Sequence, residues 1–432
     1  SLSRLRAEVE SVSHESFARF LVEWHGISLN PKHQDGLLDI IERLQGAPIP
    51  ATVLETDVLP ARIHNYQPTD LDALLASGEV VWLGIRPTGS KDGRVALYSS
   101  SHLDLLATNI EPLEGEVYDA IRTALRGSGA AFFSHLHGQI GGLPAELLTK
   151  LWDLVWHGEV SNDSLVPLRN LLRGTQKRGP LNRRRLRFRN ARPSGLPGSE
   201  GRWWLVSERR SRLATPSTDK RMALAQQLLE RHGVFTREAV SMEELSGGFS
   251  SVYPILKALE ESGQVRRGYF IEGLGATQFA VPGAEDMLRA HRDENDDICA
   301  VCLAATDPAN PYGSALPWPS EIAGRPERSP GARVILANGK LIAFISRSGK
   351  SMNTHLSEDE VERRKELQAL TSALTRLLER DLQRTIFFET IDGDAANKWP
   401  QVSRLTEHGF RSSSSGLLLS KKTHFEAINA RR

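Results

Sequence analysis

The stretch that decides the fold is Leu71 to Gly84, LDALLASGEVVWLG. Leu74 is followed, after three residues, by Gly78, an acid or amide (here Glu79) and Val80. The same order returns twice: Leu154 before Gly158-Glu159-Val160, and Leu259 before Gly263-Gln264-Val265. Physically, a helix buries its leucine and stops where a glycine takes the left-handed conformation at C′. A strand then begins on a buried valine. In the first copy, Val80-Val81-Trp82-Leu83 is predicted to pair with Val95-Ala96-Leu97-Tyr98 across the loop Thr88 to Gly93. In the third, Tyr269-Phe270-Ile271 is predicted to pair with Thr277 to Val281 across Gly273-Leu274-Gly275. Helices followed by a hairpin make the winged helix-turn-helix arrangement.

Outward from these copies, Phe17, Phe20, Leu21 and Trp24 fall at helical spacing, with Ser13 or Ser11 as cap. Leu37, Leu38, Ile40, Ile41 and Leu44 form a second helical stripe that ends at Gly46. In the third copy, Met222 to His232 and Ser241 to Leu245 precede a helix capped by Ser250 that carries Val252, Ile255, Leu256 and Leu259. The second copy departs from the pattern. Ser161-Asn162-Asp163 reads as the cap of a helix carrying Leu165, Leu168 and Leu172, and the hairpin comes later. Its strands are predicted at Arg185 to Arg189 and Trp203 to Val206, joined by a Gly-, Pro- and Ser-rich loop. The last third changes character: a strand from Ile298 to Ala305, then 333–336 and 341–345 around Asn338-Gly339, a strong hairpin signal. A helix over about 358–380, a strand at 385–388, a helix over about 399–408 and a strand at 416–420 follow. The fold class is α+β, with tandem winged helices followed by a β-barrel-like module. The domains read as 1–105 (N-terminal helices and a winged helix), 106–215 (a second, with an Arg-rich hairpin), 216–292 (a third) and 293–432 (the barrel-like module).

Composition bounds the function. The 432 residues are 40% apolar and 25% charged, which excludes a mostly disordered chain. Lys plus Arg number 54 and Asp plus Glu 53, so a uniformly basic coat is excluded and a local basic patch is not. Two cysteines exclude a disulfide scaffold. No apolar run approaches the roughly 20 residues of a membrane helix, and Ser1-Leu2-Ser3-Arg4 begins no signal peptide. A cytoplasmic location, with no membrane partner, fits these features. The chain lacks an initiating Met, so a longer parent protein is expected.

Lys177, Arg178, Arg183, Arg184, Arg185, Arg187, Arg189 and Arg192 occur with no acid among them. On an alternating strand Arg185, Arg187 and Arg189 share one face, where guanidinium forks suit phosphate. The plain alternative is a solvated hairpin. Ser348-Gly349-Lys350-Ser351 ends like a phosphate loop, but the position of its first glycine holds Phe344, so no ATP site is expected. Cys299-Ala300-Val301-Cys302 has no second ligand pair and reads as two core cysteines. His135 and His137 are a weak metal signal with solvated or core histidines as the alternative, and no metal or cofactor is expected. Among carboxylates, Glu55 and Asp57 stand before Leu59-Pro60, and Asp307 opens the turn Asp307-Pro308-Ala309-Asn310-Pro311. Each is a candidate acid, and each equally a cap or turn residue.

Three stretches carry a family likeness. Leu71 to Gly84, Ser134 to Asp163 (SHLHGQIGGLPAELLTKLWDLVWHGEVSND) and Ala304 to Pro319 (AATDPANPYGSALPWP) resemble the C-terminal, non-helicase region of the bacterial large helicase-related proteins, Lhr. The likeness runs across the whole chain. It implies the accessory portion of an ATP-dependent DNA helicase, whose motor core would be a partner in the same polypeptide. That region is similar in turn to the AlkZ DNA glycosylases, which join tandem winged helices to a terminal β-barrel and carry a Gln-hydrophobe-Asp or Gln-hydrophobe-Gln motif. By position, Glu55-Thr56-Asp57-Val58 looks like its counterpart: Asp57 matches the catalytic acid, Glu55 stands for the Gln and Thr56 for the hydrophobe. The family also implies uracil-DNA glycosylase activity and a homo-oligomer, a tetramer. The expected function is DNA binding within an Lhr-type repair helicase with monofunctional glycosylase activity. The alternatives are a non-catalytic oligomerisation and DNA-positioning platform, and an RNA-binding or transcription-factor-like module. Trp82, Trp203 and Trp204 are candidates to stack on a base, with the core as their plain alternative.

Overall fold

A computed structural model describes residues 11–27, 36–89, 92–108, 110–174, 195–210, 216–245, 247–275, 277–292, 298–322, 324–380 and 385–421. The chain divides into two compact units. One comprises Ser1–Gly36, Val53–Tyr66 and Ala225–Arg432, the other Leu37–Thr52 and Gln67–Leu224. Among the described residues no helix is long and apolar enough to cross a membrane.

An N-terminal helix, α1 (His14–Trp24), is capped by the Ser13 hydroxyl on the Ser16 amide. Three copies of one topology follow. The first runs α2 (Leu37–Leu44), β1 (Ile49–Pro50), a π-helical turn (Leu54–Val58), α3 (Pro68–Ser77), β2 (Val80–Thr88) and β3 (Asp92–Ser99). The second runs α4 (Glu116–Ser128), β4 (Ala131–Phe132), α5 (Phe133–Ile140), α6 (Pro144–Trp156), β5 (Val160–Asn162), α7 (Val166–Gly174) and β6 (Arg202–Leu205). The third runs α8 (Ser217–His232), β7 (Val234–Thr236), α9 (Val240–Glu243), α10 (Gly248–Glu261), β8 (Arg266–Gly268) and β9 (Gln278–Ala280). Each forms a three-stranded antiparallel sheet in which the last strand lies between the other two: β1-β3-β2, β4-β6-β5 and β7-β9-β8. The winged-helix reading therefore holds in all three.

The recurring glycines behave as the pattern requires. Gly78, Gly158 and Gly263 have φ of 81°, 82° and 75°. Behind two of them the following amide reaches back to the recurring leucine, Glu159 to Leu154 O and Gln264 to Leu259 O, each at 2.9 Å. That 6→1 bond is the Schellman closure. Val80, Val160 and Val265 are all buried, and so are Leu154 and Leu259. Leu74 is only half-buried, because Leu71 and Leu75 fill that face of α3.

Three local expectations are corrected. The wing of the third copy begins at Arg266, not Tyr269, since Phe270 and Ile271 are occupied elsewhere. Their amides donate to the Gln278 side chain at 2.8 and 2.9 Å, and Ile271 bridges in parallel to Val12. Its last helix starts at Gly248, so Ser250 lies inside it and is no cap. In the second copy, Val160–Asn162 is a strand, and Trp203 is paired on both sides, to Ala131 and to Asn162. The partner strand expected at Arg185 to Arg189 lies outside the described residues.

The remainder begins with α11 (Ala284–Ala290) and continues as β10 (Ala300–Ala304), β11 (Arg333–Ala337), β12 (Lys340–Ile345), β13 (Ser351–Thr354) and α12 (Glu360–Arg380). Then come β14 (Thr385–Phe388), β15 (Thr390–Ile391), β16 (Asp394–Ala395), α13 (Val402–Glu407), β17 (Arg411–Ser413) and β18 (Gly416–Ser420). The Asn338-Gly339 turn has positive φ at both residues, 46° and 83°, as a two-residue I′ hairpin needs. The strands form a six-stranded sheet, β10-β11-β12-β13-β15-β16, and a three-stranded one, β14-β18-β17. Among the described residues these are two separate sheets, and neither closes into the barrel expected. Leu367, Leu370, Leu374 and Leu378 of α12 share a core with Ile335, Ile342 and Phe388.

Candidate catalytic site

The segment Leu54–Tyr66 bears two of the candidate acids. Its first turn is widened: the Leu59 amide bonds to Leu54 O at 3.0 Å, five residues back. Pro60 has no N–H for an ordinary α-helical bond at that point, and single π turns are common at functional positions. The Asp57 side chain is buried, with 4% of the residue exposed. Its Oδ1 accepts from Arg333 Nε at 2.7 Å, and its Oδ2 from the Thr56 hydroxyl at 2.7 Å. Thr56 itself is exposed and Glu55 half-buried, so Asp57 lies just beneath the surface. Glu55 Oε1 accepts from the Tyr66 hydroxyl at 2.7 Å.

Asp307 is placed differently. It is fully buried, and its two oxygens take both ends of the Arg62 guanidinium, at 2.7 and 2.9 Å. Asp307 Oδ1 also accepts the Ala309 amide at 2.8 Å, which closes the Asp-Pro turn. Arg328 donates to the carbonyls of Asp307, Asn310 and Tyr312, so the whole turn is tied down. Burial pushes the Tyr312 phenol up, first of all, and Glu15 adds to it, so Tyr312 stays a neutral donor to Gly339 O.

The two ion pairs are reciprocal. The 54–66 segment sends out an acid (Asp57) and an arginine (Arg62), and the residues around β10 and β11 answer with an arginine (Arg333) and an acid (Asp307). Arg333 sits opposite Ala304, and the Asp307 amide bonds to Ala304 O at 3.0 Å, so both partners start from one end of the sheet. Asp57 and Asp307, proposed from sequence as independent candidates, are thus joined through that sheet end. Arg62, Tyr66 and Arg333 escaped the sequence reading, because isolated polar residues in a turn or at a strand start carry no periodic signal.

The other candidates resolve as follows. Lys177, Arg178, Arg183, Arg184, Arg185, Arg187, Arg189 and Arg192 lie outside the described residues. Trp82, Trp203 and Trp204 are core residues and offer no face for stacking. Cys302 is buried, but Cys299 is exposed, since the strand begins only at Ala300. Ser348 to Lys350 lie in the turn between antiparallel β12 and β13, with Phe344 in the core. His137 bonds to Gly142 O and His135 to Gln139, and among the described residues no three ligating side chains converge.

Two family models, both described as "Large helicase-related protein, winged-helix domain", match residues 12–100 and 214–299. The chain is 40% identical over 415 residues to the "Lhr helicase/ probable uracil glycosylase" of Mycolicibacterium smegmatis, covering 91% of this chain and 27% of that protein. It is 32% identical over 459 residues to the "Lhr helicase/uracil glycosylase" of Escherichia coli, covering 96% of this chain and 29% of that one. The chain thus spans between a quarter and a third of the length of these relatives. The solved structure of Streptomyces sahachiroi DNA glycosylase AlkZ matches with a TM-score of 0.53, over 88% of this chain and all of that one, at 11% identity. That likeness shows a shared fold. The chain thus carries winged-helix domains of the large helicase-related protein family, and it matches one region of the Lhr relatives over nine-tenths or more of its own length.

Proposed function

We propose that this chain binds DNA as part of an Lhr-type repair helicase and excises uracil from it as a monofunctional glycosylase, with Asp57 as the acid. The observation that carries the reading is the Asp57 carboxylate in its π turn, just under the surface, and the resemblance read from the sequence implies the AlkZ acid as its counterpart. In the reaction the N-glycosidic bond breaks and its electron pair leaves with the base. The ionised carboxylate faces the oxocarbenium-like sugar and lowers its energy. Water then bonds to the anomeric carbon, and its proton passes through the carboxylate to solvent. The target nucleotide is unstacked or taken from a single strand. Glu55, half-buried and held by Tyr66, lies in the same turn and is proposed to shape the approach. Asp307 is proposed as a structural anchor, since its oxygens are committed to Arg62 and Ala309. Arg183, Arg185, Arg187, Arg189, Lys177 and Arg178 are proposed to hold phosphates.

A second reading, a non-catalytic and oligomeric DNA-positioning platform, is favoured by the near-complete burial of Asp57. A single-stranded oligonucleotide bearing one uracil separates the two. Incubation with the chain and then alkali is expected to cut the strand at the uracil. Asp57→Asn should slow this by about 100-fold or more while DNA binding persists. Intact binding with no scission by the unaltered chain would leave the platform.

A further inference from the structure

We infer that Arg333 is a positioning residue for Asp57, which makes the strand β11 part of the reacting site. This rests on the reading of Asp57 as the acid that faces the sugar.

The two ion pairs do unequal work. Arg62 and Asp307 meet through two bonds, with side chains 1% and 0% exposed, and that pair already fastens the 54–66 segment to the sheet end. As a fastener the second pair is redundant. Its geometry is also different: Arg333 touches one oxygen of Asp57 through Nε, and Thr56 touches the other. One donor on each oxygen fixes the plane of the carboxylate. A carboxylate has about four lone-pair positions, and these two bonds fill two of them. The remaining pair is what an acid needs to meet a cationic sugar and a water. The donor is rigid, because Arg333 is paired on both sides of its strand, to Ala304 and to Ile345.

The position of Nε supplies a sharp test. A glutamine at 333 places its amide nitrogen at the same bond count from Cα, without the charge, whereas methionine has no donor. The probe is an oligonucleotide carrying a cationic pyrrolidine in place of one sugar, compared with a neutral tetrahydrofuran abasic site. The full chain is expected to prefer the cationic probe by tenfold or more, and Asp57→Asn to lose that preference. Arg333→Met should lose most of it, Arg333→Gln should stay within about threefold of the parent, and binding to the neutral probe should not move. Uracil excision should follow in kcat, not KM. Full preference in Arg333→Met, or equal loss in Arg333→Gln, overturns the positioning role and leaves Asp57 standing. If the parent chain has no preference, the Asp57 reading and this inference fall together. Should Arg333→Met not fold, Thr56→Val removes the other orienting donor from an exposed side chain, and an unchanged preference there refutes the role.

Discussion

At the scale of the residue, Asp57 and Asp307 show how one residue type takes two parts according to its partners. Asp307 has spent its acceptors on a guanidinium fork and an amide, and it is fully buried. Removing Arg62 would strand that charge, and breaking a buried pair in this way costs about 3–5 kcal/mol. Arg62→Met is therefore expected to lower the urea midpoint steeply, and Asp57→Asn much less, because its partner Arg333 still reaches solvent. Equal losses in the two variants would contradict the division. Sequence reading named both acids from their turns, but their arginine partners lie 245 and 276 residues away. No periodicity spans that distance, so the pairing itself was illegible.

At the scale of the element, the short helix α9 holds its place through charge. Glu243 accepts from His232 Nε2 at 2.6 Å and from Arg231, both on the last turn of α8. Burial works to raise the Glu243 pKa, but Arg231 and then His232 overcome it and hold the carboxyl down at about 2. A folded pKa below the unfolded value near 4.5 gives stability that is complete above pH 4.5 and is lost as pH falls toward 2. Unfolding followed by circular dichroism should show that acid limb, and Glu243→Gln should flatten it. A persistent limb would assign it to other groups. The helices and hairpins themselves were largely readable, since stripes at 3.6 residues and Asn338-Gly339 are local signals. The wing of the third copy was misplaced by three residues, because Gln278 satisfies two backbone amides with its side chain and no pattern announces that.

At the scale of the molecule, three repeats of one topology were visible in a four-residue signature, because each must solve the same problem of turning a helix into a strand. Two features were not visible. The second repeat closes its sheet with strands about 40 residues apart, and the described C-terminal strands fall into two separate sheets. Both depend on which distant strand takes which edge. For the chain as a DNA-binding body, replacing Arg185, Arg187 and Arg189 with Ala should weaken binding to all sequences alike. It should also reduce the salt slope by about 2 to 3, near 0.9 for each phosphate no longer neutralised. An unaltered slope would remove those arginines from the interface.

The strand β2 passes so close to α6 that a methyl group on Gly84 would lie 2.2 Å from Val155 O. One on Gly93, in β3, would strike the Trp156 ring at 2.4 Å. The wing of the first repeat is therefore seated on the very helix that, in a solitary winged helix, would be free to enter a groove. The first two repeats are consequently not interchangeable beads. A chimera that imports another winged helix at the first position must bring a bare backbone at both of these glycine positions, and shuffling these repeats between relatives will succeed only in pairs.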